Sequence, residues 1–491
     1  MQYDCIVIGS GLSGLTCALL LARSGQRVLV LEQHAQPAPV VRGFSRGGIY
    51  FDSGFHYAGG LGDGGAFQPL FRHLGLDRKL KLFPFAEQGF DRLRFSTTGE
   101  TFAVPVGFEN LKTALKKRFP GAASGIGRYI DEIEQKWCRF PYLDLDVDIA
   151  DFSIESVHGE SLTSRLQEFS AYPELQGVLS MHSLLYGIDP VDASTTLNAQ
   201  VAGSYYHSAH GISGGGRALV NALLELLIQA GGEVRCQAQV VGLRTAAGAV
   251  AGVCLANGEE ILANKVVASL NPTLLPELLP QGVLRPAYLK RLKNLRQTSS
   301  AYVFFGKVNR AVESLHRCNL FVQPQLGTFS LGLDLPLAQR GFYLAAAEQG
   351  VAREQKGVIG IVPAAYAEVA KFTAGGKGRT CGYLEEKQQL AERLQRMFAA
   401  SCPELAELEF LELSTPLTLR DYSLAPDGAI YGVGRYIGQY NPHPATRLPG
   451  LFLSGQAIAA PGLLGSVVAA YLTCGSMLGH GLLRGEIKKC R

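Results

Sequence analysis

Three glycines, Gly9, Gly11 and Gly14, stand in the order G-x-G-x-x-G, and an acidic residue, Glu32, follows 18 positions after the last of them. These residue types at this spacing can hold a diphosphate joined to a ribose. Gly9 permits a tight turn, Gly11 lets backbone approach the diphosphate, and Gly14 lets a helix pack closely on a strand. The diphosphate would lie at the positive end of that helix, and the Glu32 carboxylate would accept hydrogen bonds from ribose hydroxyls. Such chemistry needs elements that aim all four groups at one point. The apolar run Cys5 to Ile8 predicts a buried strand, Leu15 to Arg23 a helix, and Val28 to Leu31 a second strand ending at Glu32. Strand, glycine turn, helix, strand and acidic tip fall in register for a dinucleotide-binding βαβ unit.

The 491 residues suffice for two or three domains with buried cores. Hydrophobic residues at 47% and charged ones at 18% describe a globular, slightly apolar protein. A net charge of +4 gives no electrostatic case for nucleic acid as a partner. The 10 cysteines are scattered without a C-x-x-C pair, which suits a reducing cytosol and indicates neither a disulfide framework nor a metal site. The apolar stretch Leu15 to Ala22 lacks the basic flank of a signal peptide, and no apolar run reaches the roughly 18 residues of a spanning helix. The expected location is cytoplasmic, with a peripheral membrane contact as the alternative to a free protein.

Beyond Glu32, the run Gly43 to Gly60 is rich in glycine yet carries Phe51, Phe55, His56 and Tyr57, as loops that approach ligands do. From about Ala66 to Asn198 helical segments with proline breaks follow, including Leu111 to Phe119 and Arg128 to Trp137. A helix from Ala218 to Ala230 stops at Gly231-Gly232, and short strands with an Asn257-Gly258 turn predict a meander returning to the nucleotide unit. A second mixed block runs from about Ser299 to Leu411, and Pro461 to Ser466 leads into an apolar helix at roughly Val467 to Leu483. The expected domains are residues 1–70, 211–297 and 412–491 for the nucleotide and 71–210 with 298–411 for a substrate.

Four stretches in this order resemble the carotenoid desaturase, carotenoid isomerase and retinol saturase family of flavoproteins. They are the opening unit through Leu31-Glu-Gln-His34, Phe51-Asp-Ser-Gly-Phe-His56, Gly214-Gly-Gly-Arg217, and Gly450-Leu-Phe-Leu-Ser-Gly455-Gln456. The resemblance implies an α/β fold: a discontinuous Rossmann-type FAD-binding domain with an inserted α+β substrate domain, as in amine-oxidase-like two-domain flavoproteins. It implies FAD as cofactor and an elongated pocket for an apolar polyene, isoprenoid or polyketide-like substrate. By position, Gly9, Gly11 and Gly14 would hold the diphosphate, with Leu12 and Ser13 beside them. Glu32 and Gln33 would meet the adenosine ribose, and the Val240 main chain adenine. Gly455 and Gln456 would follow the ribityl-phosphate, while Gly465 and Ser466 bring a helix start to the flavin ring. Such a helix start stabilises the negative charge that reduction places there. One departure stands out: the family has a glycine pair shortly after the acidic tip, where this chain has Ala38-Pro39, and Pro39 has no N–H to donate. Arg42, just beyond, is the candidate to substitute by charge.

The implied reaction is saturation, desaturation or isomerisation of C=C bonds. Adding hydrogen across such a bond needs a hydride on one carbon and a proton on the other, so a proton group must stand within reach. His56 and Tyr57 are the candidates, on the loop expected near the flavin. Tyr205, Tyr206, His207 and His210 form a second cluster better read as packing, and Asp421 and Tyr422 are weaker. A single strand–turn–helix glycine motif leaves no separate NAD(P)H domain, so electrons pass through a diffusible partner: NAD(P)H, a quinone or oxygen. Basic stretches Arg72 to Lys81, Lys112 to Arg118 and Lys290 to Arg296 read as solvated helix faces that could also meet an anionic membrane. Two rivals share the fold: an amine or porphyrinogen oxidase, for which the single tryptophan, Trp137, offers little of an amine cage, and a non-catalytic prenyl-binding carrier, which has no use for Gly455-Gln456.

Overall fold

The computed structural model describes residues 3–149, 159–347, 356–374 and 378–491. The first strand, Tyr3–Ile8, is apolar on both faces and fully buried from Cys5 onward, so it takes the middle of a parallel sheet. It pairs in parallel with Val28–Leu31 on one side and Glu260–Ala268 on the other. Glu233–Arg235 joins outside Val28–Leu31, and Leu451–Leu453 outside Glu260–Ala268, both parallel. This layer therefore draws strands from the start, the middle and the far end of the chain. The first half of Glu260–Ala268 also pairs antiparallel with Ala249–Leu255, which pairs with Val240–Ala246. That is the expected meander, turned at Asn257-Gly258 with Gly258 at φ 85°. Helices Leu12–Arg23, Gly215–Gln229 and Gly462–Leu478 cover the sheet. The last of these begins five residues earlier than its apolar run suggests and ends at Gly479 (φ 105°), beyond which His480–Lys488 is a separate helix.

The second sheet has seven strands in the order Glu409–Ser414, Ser300–Lys307, Gly357–Ala364, Phe342–Ala346, Asn319–Gln323, Asp91–Phe95 and Thr101–Val104. All neighbours are antiparallel except Asn319–Gln323 with Asp91–Phe95. The strand Glu409–Ser414 runs across the expected break at 411/412. Side chains alternate as the pleat requires. Phe321, Tyr343 and Ala345 face a helical layer containing Phe108–Arg118, Ala123–Lys136 and Thr195–His207, while Leu320, Phe342 and Leu344 face helix Tyr383–Ser401. Among the described residues all ten cysteines are free, no cluster of His, Cys, Asp and Glu could hold a metal ion, and no helix is long and apolar enough to cross a membrane.

Candidate functional site

A cavity of about 640 Å³ opens where Ile8, Leu31, Ser269 and Ser454 end four parallel strands. Carboxyl ends of parallel strands are where open α/β sheets bind ligands. Gly9, Gly11, Leu12, Ser13, Glu32, Gln33, Val240, Gly455, Gln456 and Ser466 all line it. Each glycine has a separate reason to be there. A Cβ on Gly14 would lie 2.1 Å from the Gly9 carbonyl oxygen, and one on Gly9, at φ 93°, would lie 2.7 Å from that of Ser269. Those two positions are closed by the protein itself. Gly11, Gly455 and Gly462 would meet nothing within 4 Å, so the space beside them is left for something other than protein.

Glu32 is buried beneath the cavity. Its Oε2 accepts from the Ser10 hydroxyl (2.5 Å) and amide (3.1 Å), and its Oε1 from the His34 amide (2.9 Å). A carboxylate offers about four lone-pair sites, so capacity remains for ribose hydroxyls. Ser13 Oγ shares a hydrogen bond with Ser454 Oγ (2.7 Å), tying the first glycine turn to the last strand of the sheet. Gln456 Oε1 accepts from the Gly462 amide (3.1 Å) and so caps the helix Gly462–Leu478 where it enters the cavity. The helix start therefore lies at Gly462. Gly465 sits inside the first turn, outside the lining, where a Cβ would strike the Ala460 carbonyl oxygen at 1.9 Å. Arg435 is buried behind this turn and donates to the Ile458 carbonyl (3.2 Å); burial lowers its guanidinium to about 10.

The Ala38-Pro39 step finds a local solution. Ala38 takes a left-handed conformation (φ 48°, ψ 52°), the region where glycine is at ease. Its amide donates to Ser10 Oγ (2.7 Å), and Pro39 opens the one-turn helix Pro39–Arg42, where a missing N–H costs nothing. Arg42 points away from the cavity, with Nη2 donating to Asn221 (2.8 Å), so it does not take over a charged contact.

His56 and Tyr57 lie outside the cavity lining, although Gly54 and Phe55 are part of it. His56 lines a separate space of about 80 Å³ with Asp52, Arg217 and Ala345, and burial drops its imidazole to about 4. Tyr57 points into the second sheet and donates to Asp91 Oδ2 (2.8 Å). Burial, and next the charge on Asp91, hold its phenol well above the usual tyrosine range. Of the second cluster, Tyr206 packs edge-on against Phe108, His207 lies beside Trp137, and His210 is on strand Ala209–Ile212. Only Tyr205 turns toward Tyr57, with ring centroids 4.5 Å apart. Asp421 is bound by Arg379 and Arg420; burial would raise its carboxyl, but those hydrogen bonds outweigh it and the net shift is downward.

Some lining residues were named only weakly, or not at all, by motif reading. Tyr422 stacks on His34 (5.5 Å, 10°) and, with Ser423 and Leu424, forms the outer wall. Tyr431 closes the inner wall beside Phe55 and Val433.

A cavity of this size, three open glycine positions, a buried acid and a capped helix start fit a dinucleotide cofactor laid across the sheet. The family model for flavin-containing amine oxidoreductases matches residues 12–336. The chain belongs to that family. Its cofactor is FAD, and it is an FAD-dependent oxidoreductase. It is 26% identical to the all-trans-retinol 13,14-reductase of Danio rerio over 97% of this chain and 86% of that one. It is 25% identical to the lycopene-forming phytoene desaturase of Pantoea ananas, over 96% of this chain and 98% of that one. The structure of a putrescine oxidase triple mutant superposes with a TM-score of 0.65 at 16% identity, covering 99% of each chain, which shows a shared fold.

Proposed function

We propose that this protein acts on carbon–carbon double bonds of an apolar polyene, isoprenoid or polyketide-like molecule, saturating, forming or isomerising them. The observation that carries the reading is likeness along nearly the whole chain to enzymes named for retinol 13,14-reduction and phytoene desaturation. FAD, when bound, supplies hydride transfer to or from carbon. The chain's own residues do the rest. The glycine turn and Glu32 anchor and orient, and the Gln456-capped helix directs its free N–H groups into the cavity. Phe55 and Tyr431 add aromatic surface to the cavity lining. On this reading residues 1–70, 211–297 and 412–491 serve the cofactor, and 71–210 with 298–411 the substrate. Electrons would enter or leave through NAD(P)H, a quinone or oxygen.

An apolar substrate also favours collection at a membrane surface by a cytoplasmic protein. Lys112 is held by Asp131 and Glu109, and Arg118 by Glu174 and Glu100, so those cations are already engaged. Helix Pro286–Lys293, with Lys290 and Lys293, is the better basic face.

The test is to purify the protein, reduce it anaerobically and screen retinoids, carotenoids and synthetic polyenes for loss or shift of conjugated absorbance. Reoxidation by a polyene with altered conjugation is expected. A protein that stays colourless and takes up no FAD would be a carrier. One whose oxidised flavin is reduced by amines, and whose reduced flavin no polyene reoxidises, would belong with the amine oxidases.

A further inference from the structure

The least expected chemistry lies in the second sheet. Asp91 and His182 are both 0% exposed, yet they face each other, His182 Nε2 to Asp91 Oδ2, at 2.9 Å. Tyr57 Oη donates to the same oxygen (2.8 Å), and Asn319 Nδ2 to Oδ1 (2.8 Å). Asn319 Oδ1 in turn accepts from Tyr343 Oη (2.8 Å). Three donors converge on one carboxyl group, the arrangement that suits its ionised form. The His182 ring lies between Phe90 (6.3 Å, 12°) and Tyr205 (5.9 Å, 8°), with Tyr206 and Phe321 edge-on. Its other nitrogen, Nδ1, is buried and has no hydrogen-bond partner among the described residues. A packing role alone would be served better by an apolar residue, since buried charges and unpaired polar atoms are costly.

The cluster also comes near the cavity. Tyr57 stands two residues beyond Phe55 in the cavity wall. Its neighbour Tyr205 is deep inside the protein yet retains accessible surface, so it faces an internal space, and it lies near Tyr431 in the cavity wall.

Resting on the function proposed above, we infer that Asp91 is the proton holder of this site and acts through Tyr57. When a double bond forms, the substrate loses a hydride and a proton. Tyr57 Oη takes that proton while its own passes to Asp91 Oδ2, leaving a neutral phenol and a neutral carboxyl. When a double bond is saturated, the same two O–H bonds break and form in reverse. Tyr57 never has to carry charge, in keeping with a phenol held so far above its usual range. Tyr57 is then the group that touches substrate. Asp91, His182 and Asn319 are positioning residues.

Two measurements decide the point. In 15N-histidine-labelled holoenzyme, oxidised and at neutral pH, His182 is expected as the Nε2–H tautomer with a bare Nδ1. A neutral ring with its proton on Nδ1 and a bare Nε2 would place a proton on Asp91, and it would overturn the inference whatever the substrate proves to be. With a polyene that turns over, Tyr57→Phe should slow the bond-changing step about 100-fold and abolish its solvent deuterium isotope effect, with FAD content unchanged. Asp91→Asn should slow the parent strongly but add nothing in the Tyr57→Phe background. Equal slowing in both backgrounds would leave Asp91 a packing residue. If Asp91→Asn does not fold, the isotope effect in Tyr57→Phe decides the same question: its persistence would exclude Tyr57 as the outlet. If no polyene reacts at all, the proposed function fails while the tautomer measurement still judges the pair.

Discussion

The two faces of this enzyme are built in opposite ways. Around the parallel sheet the site is made of backbone: glycine turns, a helix start and one buried acid that touches its own loop. Behind Tyr431 it is made of side chains: Tyr57, Tyr343, Asp91, His182 and Asn319, brought together from residues far apart in the chain. On the function proposed above, the first would hold the cofactor, whose shape is fixed, and the second would meet whatever the enzyme transforms. The difference teaches that the cofactor side tolerates almost no added volume, whereas the other side tolerates almost no loss of polarity.

The sharpest way to break that contrast is Gly11→Val. No protein atom lies within 4 Å of the site of the new side chain, so the fold should survive while FAD affinity falls at least about 100-fold, near 2.7 kcal/mol. Flavin fluorescence titration against an unchanged circular dichroism spectrum would show it, and a variant that still purified yellow would defeat the contrast. Glu32→Ala should act on both properties. It strands the donors of Ser10 and His34, at a cost of about 2–3 kcal/mol in stability, and weakens FAD about tenfold. A chemical denaturation series on apo and holo protein separates the two losses.

On the aromatic side the comparable lever is pH. His56 titrates at about 4 when folded because burial disfavours its charge, against about 6.5 when unfolded. Between those values the unfolded chain binds more protons, so stability should be full above pH 6.5 and fall as pH drops toward 4, by at most about 3 kcal/mol. His56→Phe should flatten that part of the pH–stability curve; an unchanged slope would place the effect elsewhere. The smallest effect is expected from Ala38→Gly. Relief of a left-handed alanine, set against the added freedom of the unfolded chain, should leave a gain of about 0.5 kcal/mol, readable as a slightly raised Tm.

The same contrast explains what could be read in the chain before its fold was known. Gly9, Gly11, Gly14 and Glu32 were legible because a βαβ site is encoded locally, and sequence spacing is then nearly spatial spacing. Gly455 and Gln456 were legible through family likeness. Gly465 and Ser466 do lie in the first turn of a helix that starts at the cavity, Ser466 lining it and Gly465 packed against Ala460. Arg42 was chosen by proximity in sequence, and its helix turned it away toward Asn221. Asp91, His182 and Asn319 could not be found at all. No spacing rule joins three residues whose meeting depends on one parallel strand pair and a helical turn, and each alone reads as an ordinary polar residue.

Ser13 and Ser454 close the first glycine turn against the last strand of the parallel sheet. On a ribosome that contact has to wait for distant chain. The βαβ unit is made before its meander, which follows after some two hundred residues, and Leu451–Leu453 adds its edge well after that. Until then the nascent sheet carries a short unpaired apolar edge along Val266 to Ala268, the kind of edge chaperones cover. The cavity wall at Ser454 thus closes long after the glycine turn it meets has been made.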